Sequence, residues 1–236
     1  DLAFANLQDF LPPERQSRCA LDLGCGTGAV SIRLARLGFD VTLVDASSAM
    51  LELAEQAVIR NGWSDKVTMK LGNANDVAKI CSARSFDVIL CHNVLEFVED
   101  AEDVLRNVAR VMRDSSSILS LLVRSQAGEV LKAALQAGDL AAAEDNLTAE
   151  WGTENLYGGK VRFFTPETVE TMLRDASLTV VARRGVRVLS DYLPAKISRS
   201  AEYDRIFALE RKLGKRPEFF GMARYMQYLV SSEQGK

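Results

Sequence analysis

Four short stretches hold the side chains with which this chain could do chemistry. Ala20-Leu-Asp-Leu-Gly-Cys-Gly-Thr-Gly28 ends an apolar run with three alternate glycines and carries an acid, Asp22, just ahead of them. Glycine lets a backbone turn tightly and approach a ligand without a Cβ in the way, and an apolar strand entering such a turn before a helix is the geometry of a nucleotide-type cofactor site. The dinucleotide fingerprint spaces its glycines G-x-G-x-x-G and sets a pyrophosphate on the helix N-terminus. Here the loop reads D-x-G-x-G-x-G, and Asp22 would repel that dianion. The expected ligand is a nucleoside bearing positive charge, held by Asp22, Gly24, Cys25 and Gly26. Asp45 lies 21 residues past Gly24 at the end of a second apolar run, where an acid can accept hydrogen bonds from both ribose hydroxyls. It also begins Asp45-Ala-Ser-Ser, which is good helix-capping chemistry.

Two further stretches end strands of the same pattern. Gly72-Asn-Ala-Asn-Asp76 offers Asn75 and Asp76 to an adenine edge, the acid accepting from the exocyclic amine, or else forms an Asn/Asp turn that caps a helix. Cys91-His-Asn-Val-Leu-Glu-Phe-Val98 places the only histidine, His92, at a strand tip with Glu96 four residues on. If that segment is helical the two share a face, and a catalytic pair becomes possible, with His92 as base and Glu96 orienting its ring. The alternatives are that His92 lines the cofactor pocket and that Glu96 faces solvent.

The elements that must position these residues alternate in type. Strands are expected near 20–23, 40–45, 66–72, 86–91 and 117–123, with helices after Gly28, over 48–61 and over 101–112. Further helices fall near 166–176 and 200–213, and strands near 178–189 and 221–230. Alternation of this kind implies an α/β, doubly wound parallel sheet. Residues 125–166 break the rhythm with an alanine-rich helical piece and a segment bearing Trp151, Tyr157, Gly158, Gly159, Phe163 and Phe164. They read as an insertion, a lid over the cofactor mouth of a single domain spanning 1–236.

Composition sets the outer limits. With 47% hydrophobic and 26% charged residues over 236 the chain can build a sizeable core. No run of about 18 uncharged apolar residues is present, so no membrane partner is expected and the cytoplasm is the default. The cysteines, Cys19, Cys25, Cys81 and Cys91, form no C-x-x-C pair and no metal spacing with His92, so neither zinc nor a disulfide framework is expected. The chain begins at Asp1 without a methionine, which suggests residues upstream. Oligomeric state is not written in the sequence.

The glycine loop, Asp45 and the strand-end acids resemble the motifs of the class I S-adenosylmethionine (SAM) methyltransferases. That resemblance implies a Rossmann-like sheet of seven strands, the last antiparallel, and SAM as cofactor with S-adenosylhomocysteine as product. His92-Asn-Val-Leu-Glu-Phe-Val-Glu-Asp100, Gly185-Val-Arg-Val-Leu-Ser-Asp-Tyr-Leu193 and Arg224-Tyr225 further resemble the bacterial tRNA 5-carboxymethoxyuridine methyltransferase family, which esterifies a carboxylate on a modified uridine. The match covers most of the chain. It implies cofactor positions at Gly24, Cys25, Asp45, Asn75, Asp76 and His92, with Cys25 standing where the family pattern has glycine. An arginine of the family's N-terminal segment has no counterpart here.

Charge argues against a polyanion. There are 29 basic against 32 acidic residues, whereas a protein that neutralises several phosphates should cluster Lys and Arg. The insertion, lysine-rich in that family, offers Lys160 and Arg162 beside Asp139, Glu144, Asp145, Glu150 and Glu154. The favoured expectation is therefore a SAM-dependent methyltransferase acting on a small or medium-sized acceptor through an O, S or N nucleophile, as in biosynthetic tailoring. Tyr157, Arg187, Tyr192 and Tyr225 would bind that acceptor. The tRNA carboxylate, with Arg183, Arg184, Arg187 and Lys160 on its phosphates, is the alternative, and a non-catalytic SAM-binding module is a third.

Overall fold

Each of the first five apolar runs folds as a strand, and the polar or glycine-bearing ends of those runs all come out on one edge. The computed structural model describes residues 1–12, 17–154, 159–194, 196–197 and 199–233. The strands in chain order are β1 (Cys19–Leu23), β2 (Asp40–Asp45), β3 (Val67–Leu71), β4 (Val88–His92), β5 (Ile118–Arg124), β6 (Trp151–Glu154), β7 (Gly159–Arg162), β8 (Leu178–Val186) and β9 (Tyr225–Ser232). Seven of them make one sheet in the order β3-β2-β1-β4-β5-β9-β8, and β6 and β7 form a separate hairpin. β1 to β5 pair in parallel, while β9 runs antiparallel to both neighbours. The fold is thus the doubly wound, seven-stranded, mostly parallel α/β sheet.

Period-two alternation divides the core. On one face Leu21, Leu23, Ile89, Cys91, Leu119, Leu121 and Val123 pack against α5 (Ala101–Val111) and α8 (Pro166–Asp175). On the other, Ala20, Val41, Leu43, Val88 and Leu90 meet α1 (Leu2–Gln8), α2 (Ala29–Arg36) and α3 (Ser48–Arg60). With both faces covered, the strands read as continuous apolar runs. Helix starts follow side-chain capping: Ser47 accepts from Met50 N at 3.3 Å, Asp100 from Asp103 N at 2.8 Å and Thr165, ahead of Pro166, from Thr168 N at 3.2 Å.

α1 has no counterpart among the expected elements. Its Phe4 and Leu7 enter the second core, and the helix is tied to the far end of the chain through Gln227. The insertion is more structured than its composition suggests. α6 (Gln126–Leu131) runs into a π-helical turn over Lys132–Ala137, α7 (Leu140–Asn146) follows, and the β6–β7 hairpin returns the chain. Its two ends are stitched together where Phe164 N donates to Arg124 O at 3.0 Å and Gln126 N to Phe164 O at 2.9 Å. α9 (Tyr203–Gly214) and the short α10 (Pro217–Phe220) then lead into β9. Among the described residues, no helix is long and apolar enough to cross a membrane.

Candidate active site

In an open parallel sheet, ligands bind outside the carboxyl ends of the strands where the order reverses, which here is between β1 and β4. A cavity of about 790 Å³ opens there, lined among others by Gly24, Gly26, Asp45, Met50, Asn75, Asp76, Asn93, Val94 and Phe97. The glycine loop is built for close approach. Gly24 has φ +69°, and a Cβ on it would stand 2.4 Å from Val94 Cγ2, so the position tolerates glycine alone. Gly24 N donates to Val44 O at 2.8 Å. Asp45 ties the loop to the next helix: its carboxylate accepts from Gly26 N and from Ser47 N, both at 2.9 Å. Asn75 is fixed by Nδ2 donating to Asp100 O at 3.2 Å and by its own carbonyl, which accepts from Asn107 Nδ2 at 2.9 Å. The exposed Asp76 pairs with Lys79 at 2.7 Å.

Two loop residues sit behind this surface and do not line the cleft. Asp22, buried at 5% exposure, accepts from Ser31 Oγ of α2, and burial pushes its carboxyl up to about 6. It fastens strand to helix under the loop, a direction that follows from β1 alternation, since its neighbours Leu21 and Leu23 face the opposite core. Cys25 packs against the second core and burial pushes its thiol up.

The expected His92–Glu96 pair is not formed. After β4 the chain turns at Asn93, which has φ +55°, and the segment is not helical, so a spacing of four does not bring the side chains together. His92 Nε2 instead lies 2.8 Å from Ser120 Oγ, and burial lowers its imidazolium to about 4. Glu96, 1% exposed, accepts from Arg124 N at 2.8 Å through Oε1, and its carbonyl accepts from Arg162 N at 3.0 Å. Its Oε2 has no hydrogen-bond partner among the described residues. Glu96 therefore pins the cleft-wall segment 93–99 to β5 and to the hairpin.

Burial raises the Glu96 carboxyl from 4.5 to about 7, with a definite consequence for stability. Between those values the folded protein binds more protons than the unfolded chain, so stability falls as pH rises. His92 and Asp22 also titrate in this window, with opposite signs, so the effect is read as a difference: in chemical denaturation between about pH 4.5 and 7 the wild type is expected to lose stability relative to Glu96→Gln, neutral throughout, as pH rises. An identical slope in the two proteins would show that Glu96 does not titrate in this window.

A second cavity, of about 430 Å³, adjoins the first. It is lined by Leu2, Ala3, Asn93, Leu122, Val186, Arg187, Ser190, Arg199, Tyr203, Ile206, Phe207, Glu210 and Tyr225 among others, and it shares Asn93 with the cleft. Glu210, 1% exposed, accepts from the successive backbone N–H groups of Val188, Leu189 and Ser190 at 2.8, 3.1 and 2.7 Å, which shapes the chamber wall and commits that carboxylate. Arg187 has φ +59°, donates through Nε to Asp191 Oδ1 at 2.7 Å and lies 5.7 Å from the centre of the Tyr225 ring. Arg224 approaches the same ring at 5.6 Å. Behind it, Glu129 joins Arg224 and Arg124, the latter at 3.4 Å.

Of the acceptor residues expected from sequence, Arg187 and Tyr225 reach this chamber. Tyr192 points its hydroxyl to Gly128 O at 3.3 Å instead, and Tyr157 lies outside the described residues. Asn93, Tyr203 and Glu210 were not singled out by pattern. Only Asn93, beside a strand-end histidine, carried any local signal. Among the described residues of the insertion, none lines either cavity.

Sheet order, glycine loop and strand-end carboxylate define a class I methyltransferase fold. Residues 1–183 match the methyltransferase domain family, and the chain belongs to that family, as an enzyme dependent on S-adenosylmethionine. It is 29% identical over 222 residues to the tRNA 5-carboxymethoxyuridine methyltransferase of Escherichia coli (strain K12), covering 92% of this chain and 80% of that one. A ubiquinone biosynthesis O-methyltransferase of Rickettsia felis is 26% identical over 200 residues, covering 83% of this chain and 74% of the relative. Among solved structures, a SAM-dependent methyltransferase of Methanosarcina mazei superposes with a TM-score of 0.62 at 19% identity, over 96% of each chain.

The residues present suit that donor. Gly24, without room for a Cβ, and a carboxylate at the β2 end with free lone pairs can take a ribose and its tail, and the Asn73–Asp76 turn can take an adenine. SAM supplies a methyl carbon activated by a sulfonium. What the chain must do is hold a nucleophile in line with that carbon, at about 3 to 3.5 Å, and keep water out.

Proposed function

We propose that this enzyme methylates a small or medium-sized acceptor, seated in the 430 Å³ chamber, at an O, S or N nucleophile. The observation that carries this reading is the shared wall at Asn93, which sets a ring-sized pocket directly against the cofactor cleft. Leu122, Val186, Ile206 and Phe207 give the chamber the apolar lining of a small-molecule site, and Arg187 and Arg199 add a few polar contacts that fix orientation. An aromatic or alicyclic acceptor with an anionic substituent fits these walls. Glu210 is occupied by three N–H groups and His92 is held far below neutrality, so among the described groups none is poised as a strong base. The favoured nucleophile is one that needs alignment alone. A cytoplasmic setting goes with the four free cysteines.

A tRNA carboxylate is the second reading, favoured by the 29% match over 92% of the chain and by the two chamber arginines. Against it, Arg183 is paired with Glu170 at 2.6 Å and Arg187 with Asp191, which commits two of the four cations expected on phosphates to carboxylates. Total tRNA is expected to bind weakly and without steep salt dependence between about 50 and 200 mM. Tight, steeply salt-dependent binding, with labelled methyl from SAM appearing in the tRNA, would replace the small-molecule acceptor.

A further inference from the structure

A chain of polar side chains runs through the otherwise apolar face between the sheet and α1. Ser120 and Gln227 are fully buried and Asn6 is 2% exposed. Gln227 Nε2 lies 2.8 Å from Ala3 O and 2.9 Å from Ser120 Oγ, and Asn6 Nδ2 donates to Gln227 Oε1 at 3.0 Å. His92 Nε2 completes the series, 2.8 Å from Ser120 Oγ.

The direction of every proton in this series follows from what each group can do. A backbone carbonyl only accepts, so the Gln227 atom facing Ala3 is the amide nitrogen, and the Asn6 donor on the other side of the amide requires the same orientation. That nitrogen carries two hydrogens, one for Ala3 O and one for Ser120 Oγ. The Ser120 oxygen accepts there. Its hydroxyl is fully buried, and among the described residues its one other hydrogen-bond partner is His92 Nε2, so the arrangement that leaves no buried hydrogen unsatisfied has Ser120 donating to Nε2. Nε2 then accepts, and the one proton of a neutral imidazole resides on Nδ1.

We propose that Ser120 and Gln227 are positioning residues that hold His92 as the Nδ1–H tautomer, so that the ring serves as a neutral hydrogen-bond donor to a lone-pair oxygen of the bound acceptor. His92 stands next to Asn93, the residue common to both cavities, and no described residue takes its Nδ1–H. The low proton affinity of the buried ring supports the neutral form. The donor role rests on the methyltransferase reading, whereas the tautomer does not.

His92 is the only histidine, so one pair of ring ¹⁵N signals reports it directly, without any acceptor present. In a long-range ¹H–¹⁵N spectrum at neutral pH, Nε2 is expected in the unprotonated range and Nδ1 in the protonated range. A protonated ring, the opposite assignment or averaged nitrogens would overturn the proposal. Gln227→Glu exchanges the donor for an acceptor. Ser120 then turns its hydrogen to the new carboxylate, and the His92 tautomer is expected to invert. Should that variant fail to fold, Ser120→Ala is the smaller change, and it is expected to release the tautomer into an average while Ser120→Thr retains it. With an acceptor in hand, Ser120→Ala is expected to lower kcat/KM for that acceptor about 3- to 10-fold, the worth of one neutral hydrogen bond, with SAM affinity unchanged. Weakened SAM binding with an unaltered acceptor term would assign His92 to the cofactor instead.

Discussion

Replacing Glu129 by alanine is expected to destabilise the protein by about 3 to 5 kcal/mol, the cost of leaving buried charge without its partner. Glu129 and Arg224 are 7% and 4% exposed, and the Arg124 guanidinium faces the same carboxylate at 3.4 Å. Removing the acid takes from the buried Arg224 its nearest carboxylate, with Asp191, 3.8 Å away, as the remaining acid close to that guanidinium. For a chain of this size the loss corresponds to a drop in Tm on the order of 10 °C. Two controls separate charge from packing. A Glu129→Met, Arg224→Met double variant should cost much less than the single, because apolar replacement of a whole buried pair is often close to neutral. Breaking the half-exposed Arg183–Glu170 pair should cost under about 1 kcal/mol. A Glu129→Ala protein that melts within a degree or two of wild type would show that this cluster does not carry the packing of α6 against β5 and β9.

Asp45→Ala is expected to weaken SAM binding by about 1.5 to 3 kcal/mol, one to two decades in Kd, since a charged acceptor of hydrogen bonds is lost. The structure adds a second reason to the one visible in sequence. The same carboxylate gathers Gly26 N and Ser47 N, so its removal also loosens the loop that must lie against the ligand. Asp45→Asn should be little better, because an amide nitrogen would face one of those N–H donors. Titration calorimetry measures the effect. Unchanged affinity, or a wild-type preference for NAD over SAM, would overturn the cofactor assignment.

The donor half of the enzyme was legible in the sequence because its signals are local. Gly24, Gly26 and Asp45 lie on a strand-turn-helix-strand unit whose apolar runs, caps and glycines all agree, and each reaches the cleft. Asp22 belonged to the same motif, but strand alternation sends it beneath the loop. The His92–Glu96 pair failed for a definable reason: a spacing of four means adjacency only in a helix, and Asn93 at φ +55° ends the strand in a turn. The second cavity was hardly legible. Its walls come from α1, β5, the segment after β8, α9 and β9, which meet only once the sheet order is set, and Tyr192 was drawn to Gly128 O by a contact 64 residues away in sequence. Alternation alone predicted the strands without their order, and α1, seven residues long with no side-chain cap, left no mark of its own.

Every described residue lining the first cavity falls between Leu23 and Glu99, whereas the neighbouring one draws on residues as far apart in sequence as Ala3 and Tyr225. During synthesis the described walls of the first cavity are therefore made well before β9, which supplies Tyr225 to the second. Substitutions in β8, α9 and β9 can therefore reshape the second cavity without touching a described residue of the first.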